Sequence, residues 1–166
     1  MSPELRLREV VERFDVGMLC TTGARGIIDA RPMLVAQFDE ATFEISFISY
    51  EGAGVVEDAE SGCGPAAVMF QSDRAFATLA GTMVVSRDQA AIDALWNEQI
   101  EAWFERGSHP AVALRLRPEQ GRYWDYGARG QLRMVWESTR RVFVDASDEP
   151  PVGRVVRGRA DDLGDG

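Results

Sequence analysis

Apolar positions recur at two periods along the chain, and the switch between them lays out the elements. Leu5, Leu7, Val10, Val11 and Phe14 return at helical spacing with Arg and Glu between them. They follow Ser2-Pro3-Glu4, a helix start with Ser2 as N-cap and Pro3 in the first turn. Gly17 is expected to end this helix. Strand-like runs come next: "MLCTT" (18–22), a tight turn at "GARG", and "IIDARPMLVAQF" as the returning strand of a hairpin. After "DEAT", the segment "FEISFIS" (43–49) alternates, placing Phe43, Ile45 and Phe47 on one face. Glycines and a short helical turn interrupt the pattern over 50–65.

Strands resume at "AAVMFQ" (66–71) and "AFATLAGTMVVS" (75–86). The segment 87–107 predicts one long helix with a stripe of Ile92, Leu95, Trp96, Ile100, Trp103 and Phe104, stopped by Gly107. "AVALRLRP" (111–118) alternates again, "GRYWDYG" (121–127) is expected to pair with it after a turn, and "QLRMVWES" and "RRVFV" add one or two short strands. This order predicts a mainly β, α+β fold: an antiparallel barrel with a few flanking helices, in one domain over residues 1–144. Residues 145–166 hold almost no large apolar side chain and are expected to form a disordered acidic tail.

Charge and composition narrow the function classes. The formal charge of −9 argues against a nucleic-acid groove or an anionic membrane surface. All 18 basic residues are arginine, so lysine Schiff-base chemistry is excluded and a charged phosphate clamp must use Arg. Cys20 reads as a buried reduced thiol, and neither it nor Cys63 belongs to a CxxC pattern. No run approaches the roughly 18 apolar residues of a membrane span, and the start of the chain lacks the apolar core of a signal peptide. A reduced, cytoplasmic protein is the expectation. His109 is the only histidine, which rules out a multi-histidine metal centre and reads as a surface loop residue. Asp58 and Glu60 read as parts of a solvated helix face.

One stretch resists this bland reading. Arg31-Pro32-Met33 interrupts an apolar strand with a residue that lacks a ladder donor and another that is costly to bury. Either the strand lies at a sheet edge, or it opens there to hold a ligand. The order "TTGARGIIDARPM", "FEISFIS", "AVMFQS", "LAGTMVVSRD", "LWNEQIEAWF" and "RYWD" resembles the flavin-binding split β-barrel of the pyridoxamine-phosphate-oxidase superfamily, and its general-stress-protein branch in particular. The resemblance covers about residues 4–126.

That resemblance implies a homodimer with FMN in two grooves where the subunits meet; FAD or a deazaflavin would suit the same residues. It assigns Arg31 to the flavin phosphate, Pro32 to freeing backbone groups for the ring edge, and Met33 and Leu34 to the ring face. Ser49 takes the place of a hydroxyl that bonds the phosphate or ribityl chain, and Trp124 that of a tryptophan reaching the flavin across the interface. Two departures stand against these matches. A gap-free reading puts Ala53 and Val55 where the oxidases carry a Ser and a Lys for the phosphate, with the amides at Gly52 and Gly54 as a substitute nest. No histidine follows Trp124, so a true pyridoxamine-phosphate oxidase is not expected; Arg129 and Arg133 are the basic residues available in that region. The readings left open are an FMN-binding general-stress-type protein with flavin-dependent oxidoreductase chemistry, and a non-enzymatic split-barrel dimer that has lost FMN and serves as a ligand-binding or interaction module.

Overall fold

Strict alternation is clearest in β1 (Val16–Thr22), where Gly17, Leu19 and Thr21 are buried while Val16 and Met18 face out. The computed structural model describes residues 2–61, 64–105, 107–126 and 132–136. β1 pairs antiparallel with β2 (Ile28–Phe38) on one side and β4 (Pro65–Gln71) on the other. β4 continues to β5 (Ala75–Ser86), β5 to β6 (Ala111–Tyr126), and β6 back to β3 (Ile45–Tyr50), which joins β2. Six antiparallel strands thus close into a barrel, and β7 (Leu132–Trp136) adds to the outside end of β6. The mainly β barrel expected from the alternation is what forms.

Leu19, Ile45, Phe47, Val68, Phe70, Leu79, Leu114 and Leu116 fill the barrel interior. Each such side chain contributes roughly 1.5–3 kcal/mol by leaving water. Helix α1 (Pro3–Val11) packs Leu7, Val10 and Val11 onto this core, with the Ser2 hydroxyl accepting the Leu5 amide as N-cap. α2 (Gly54–Ser61) inserts Val55 and Val56 into the same core. A second, smaller core lies outside the β3–β6 wall. There α3 (Gln89–Leu95) and α4 (Glu98–Trp103) cover Ile48 and Ala113 with Ile92, Leu95 and Ile100. Both faces of β3 are therefore buried.

Several local expectations are corrected. α1 ends at Glu12, before Gly17. Gly17 instead lies inside β1, where a Cβ would stand 2.5 Å from Val68 Cγ2 and 2.7 Å from Phe70 Cε1. Phe43 precedes β3 rather than starting it, at φ 58°, and its ring takes the Arg8 guanidinium at 5.6 Å. The long helix over 87–107 is two helices, because Trp96 is extended and the Asn97 side chain accepts the Ile100 amide at 2.9 Å, starting a new helix. No turn separates 111–118 from 121–126: β6 runs through, with a register shift opposite Ala80 and Gly81 that leaves Glu119 as the extra residue beside Pro118. A Cβ on Gly81 would lie 1.9 Å from the Arg117 carbonyl oxygen. Cys20 is half-buried on the barrel's outer face rather than in its core, as a free thiol whose pKa burial raises against the pull of Arg31. "QLRMVWES" supplies the β7 backbone, while Cys63, Arg129, the strand expected at 140–144 and the tail lie outside the described residues.

Candidate functional site

Where β2 meets β3 the barrel is only half zipped. The two pair from Val35 to Phe38 against Ile45 to Phe47, with a register shift between Val35 and Gln37. From Ile28 to Leu34, β2 pairs with β1 alone. Pro32 stays in register opposite Met18, so the ladder to β1 is not broken. What is missing is the neighbour on the other side. A proline fits such an edge because an unpaired flank has no donor to lose, and this resolves the sequence puzzle at Arg31-Pro32-Met33.

Alternation sorts the expected site residues between two faces. Asp29, Arg31 and Met33 oppose Thr21, Leu19 and Gly17, and so share the barrel-interior face; Ser49 opposes Val112 on the interior face of β3 and is buried. Pro32 and Leu34 share the outer face with Met18 and Val16, and Leu34 packs against the α3–α4 core. Trp124 opposes Phe76, on the outer face of β5 and β6, and is half-buried. β3 alone stands between β2 and β6 where the barrel closes. One chain thus turns Arg31, Met33 and Ser49 to the interior face and Trp124 to the outer one.

Arg31 is the best-held group there. Its Nη2 donates to Asp29 Oδ2 at 2.5 Å, Asp58 Oδ2 at 3.0 Å and Thr21 Oγ1 at 3.1 Å. The Thr21 hydroxyl in turn donates to Asp58 Oδ2 at 2.6 Å. That bond above all, with Arg31 beside it and against the cost of burial, holds the Asp58 carboxyl below its ordinary value. Asp58 is 17% exposed, Arg31 20% and Asp29 67%. Asp58 is therefore no solvated helix residue. It lies on the α2 face that carries Val55, one helical turn from Gly54. Sequence reading missed it, together with Thr21 and Asp29; the signal was the i, i+3 spacing from Val55 and the Asp-x-Arg alternation on β2.

The loop into α2 is braced from outside. Arg87 forks onto Glu51 with two bonds of 2.7 Å and reaches Glu60 at 2.6 Å, which lowers the Glu51 pKa. Gly52 sits at φ 78°, where a side chain would be strained. Gly54 opens α2 after Ala53, whose side chain offers no capping oxygen; the Val56 and Glu57 amides donate to the Ala53 carbonyl instead, at 2.8 and 3.2 Å. His109 is exposed, its ring 5.5 Å from that of Tyr50 at the rim of the barrel. No group of three or more potential metal ligands occurs among the described residues.

Does this donor set suit a phosphorylated flavin? Arg31 Nη1 is sealed from solvent and has no hydrogen-bond partner, which marks an unused donor beside the three bonds on Nη2. An unsatisfied buried donor costs about 1–3 kcal/mol, recovered when an acceptor oxygen reaches it. Val55 does not contribute: its side chain is in the barrel core, so position 55 does not face the phosphate in this chain. The residues thus fit one phosphate oxygen through Arg31 Nη1.

Comparison with known proteins agrees with this architecture. A family model described as "Pyridoxamine 5'-phosphate oxidase like" matches residues 3–147. A Clostridium acetobutylicum protein related to general stress protein 26 is similar in structure, at TM-score 0.66 and 21% identity over 81% of this chain and 96% of that one. A putative general stress family protein from Xanthomonas campestris pv. campestris gives 0.61 and 26% over 77% and 92%. A pyridoxamine 5'-phosphate oxidase-related, FMN-binding protein from Nostoc punctiforme gives 0.54 and 14% over 80% and 92%. No curated protein is matched.

Proposed function

The chain belongs to the pyridoxamine 5'-phosphate oxidase like family, and from that premise we propose that it binds FMN at the parting of β2 and β3, as a general-stress-type flavoprotein. The observation that carries the reading is the unpartnered Arg31 Nη1 at an edge where β2 has no second neighbour. Arg31 holds the phosphate, Met33 offers soft apolar surface to the ring, and Ser49 bonds the phosphate or ribityl chain. Pro32 leaves the strand edge free for the ring's polar rim. FMN when bound supplies hydride or electron transfer at its ring; the chain binds it, orients it and excludes water. FAD or a deazaflavin would use the same ring contacts.

The berth is completed by a second copy of the chain. Val16, Met18, Ile28 and Met69 are exposed on one outer face of β2, β1 and β4, with Pro32, Ala30 and Ala67 between them. Met18 is 40% and Ile28 71% exposed, and a contiguous apolar sheet face of this kind marks a protein interface. In this reading the partner's Trp124 comes toward the cleft, since this chain's own Trp124 stands on the outer face and Arg31 on the interior one. No described helix is long and apolar enough to cross a membrane, and a cytoplasmic dimer with no nucleic-acid or membrane partner is the setting we propose.

Purified protein with absorption bands in the flavin region, or saturable quenching of FMN fluorescence at micromolar concentration, supports this reading; a colourless protein that leaves FMN fluorescence unchanged overturns it. A second reading is favoured by one feature. Asp29 and Asp58 already neutralise Arg31, which suits a split-barrel dimer without FMN that holds another flat ligand or acts as an interaction module.

A further inference from the structure

Asp29 and Asp58 both contact the same Arg31 nitrogen, but they are held differently. Asp58 is fixed from two sides, by the Thr21 hydroxyl and by its place on α2. Asp29 stands two residues from Arg31 on the same face of β2, near the open hairpin end, and is 67% exposed. Its carboxylate accepts from Arg31 Nη2. An exposed ion pair of this kind adds little stability, so this carboxylate can swing aside at little cost. Its charge, however, stays within a few ångströms of the guanidinium wherever the side chain turns.

The cluster of Arg31, Asp29 and Asp58 carries one positive and two negative charges, a net of −1. With Asp58 alone the guanidinium would be balanced; Asp29 tips the cluster negative. It bonds Nη2, so a phosphate oxygen arriving at the free Nη1 meets the guanidinium with the Asp29 charge already beside it. We infer that Asp29 is a specificity-determining residue, an internal carboxylate that competes with the ligand's phosphate for Arg31 and lowers the preference for a phosphorylated ring over an unphosphorylated one. The inference rests on the flavin reading above and assigns to the same cleft a weak discrimination between FMN and riboflavin.

Like charges about 5 Å apart repel enough under near-surface screening to weaken binding by about tenfold. The test titrates FMN and riboflavin separately into the wild-type protein and into Asp29→Asn, following flavin fluorescence. The Asp29 side chain is exposed, so the substitution should leave folding intact; matching thermal melts check this. The expected result is FMN binding about tenfold tighter in D29N, with riboflavin unchanged within about twofold. In D29N combined with Arg31→Gln, the FMN gain should vanish. Equal FMN affinity in wild type and D29N overturns this inference alone, as does an equal gain for both ligands. If neither ligand binds either protein, the flavin reading falls and this inference with it.

Discussion

Removing Asp58 probes the interior web that positions Arg31. In Asp58→Ala the Thr21 hydroxyl, 3% exposed, loses the acceptor it meets at 2.6 Å, and Arg31 loses its fixed carboxylate at 3.0 Å. Breaking a buried ion pair costs about 3–5 kcal/mol, but Arg31 keeps Asp29 and both charges are partly solvated. Scaling down to one orphaned hydroxyl and a weakened ion pair leaves about 2 kcal/mol. For a domain of this length that is a fall of about 4–8 °C in Tm. The pH dependence has a definite sign. The folded Asp58 pKa is depressed, chiefly by the Thr21 bond, so its contribution is complete above the unfolded value of about 3.9 and is lost as pH falls through the lower folded value. Urea unfolding at pH 7 and at successively lower pH should therefore show wild type and D58A converging below about pH 4. A D58A protein within about 0.5 kcal/mol of wild type at pH 7, or a gap that persists in acid, refutes the assignment.

Further expectations follow from packing. Gly81→Ala drives a Cβ into the Arg117 carbonyl at the β6 bulge and should cost about 3 kcal/mol, read as a lower urea midpoint. Gly17→Ala meets Val68 and Phe70, both fully buried, and should cost about 1–3 kcal/mol in the same assay. Asn97→Ala removes the cap of α4 and should cost about 1 kcal/mol, with faster amide exchange in α4 than in α1. Met18→Glu on the exposed apolar face should shift sedimentation from dimer to monomer without lowering the helix and strand signal by circular dichroism; an unchanged sedimentation profile would remove that face as the interface.

Strand identity was most legible where burial alternates, so β1, β4 and the first half of β5 announce themselves by period. Signals failed where two local rules competed. Asn97 lies inside a continuous apolar stripe, yet its capping bond outweighs continuation of α3. Pro118 and Gly121 carry turn chemistry, but pairing with β5 on one side keeps β6 extended and places the irregularity in a bulge opposite Gly81. Gly17 resembles a helix stop and is instead a contact glycine between Val68 and Phe70. At the site, Arg31 was legible as an anomaly: a charged residue beside a proline in an apolar strand. Its partners were not, because Asp58 is 27 residues away and Thr21 on a neighbouring strand, and only barrel closure brings them together. Trp124 shows the converse: a residue notable in the sequence that the fold turns to the outer face of the barrel, while Arg31 lies on the interior face.

Calorimetric titration of FMN into the wild-type protein and into Arg31→Gln tests the central claim most directly. Saturable FMN binding by wild type is expected, weakened about tenfold or more in R31Q, with both proteins giving the same circular dichroism spectrum. Equal FMN affinity in the two folded proteins would contradict it.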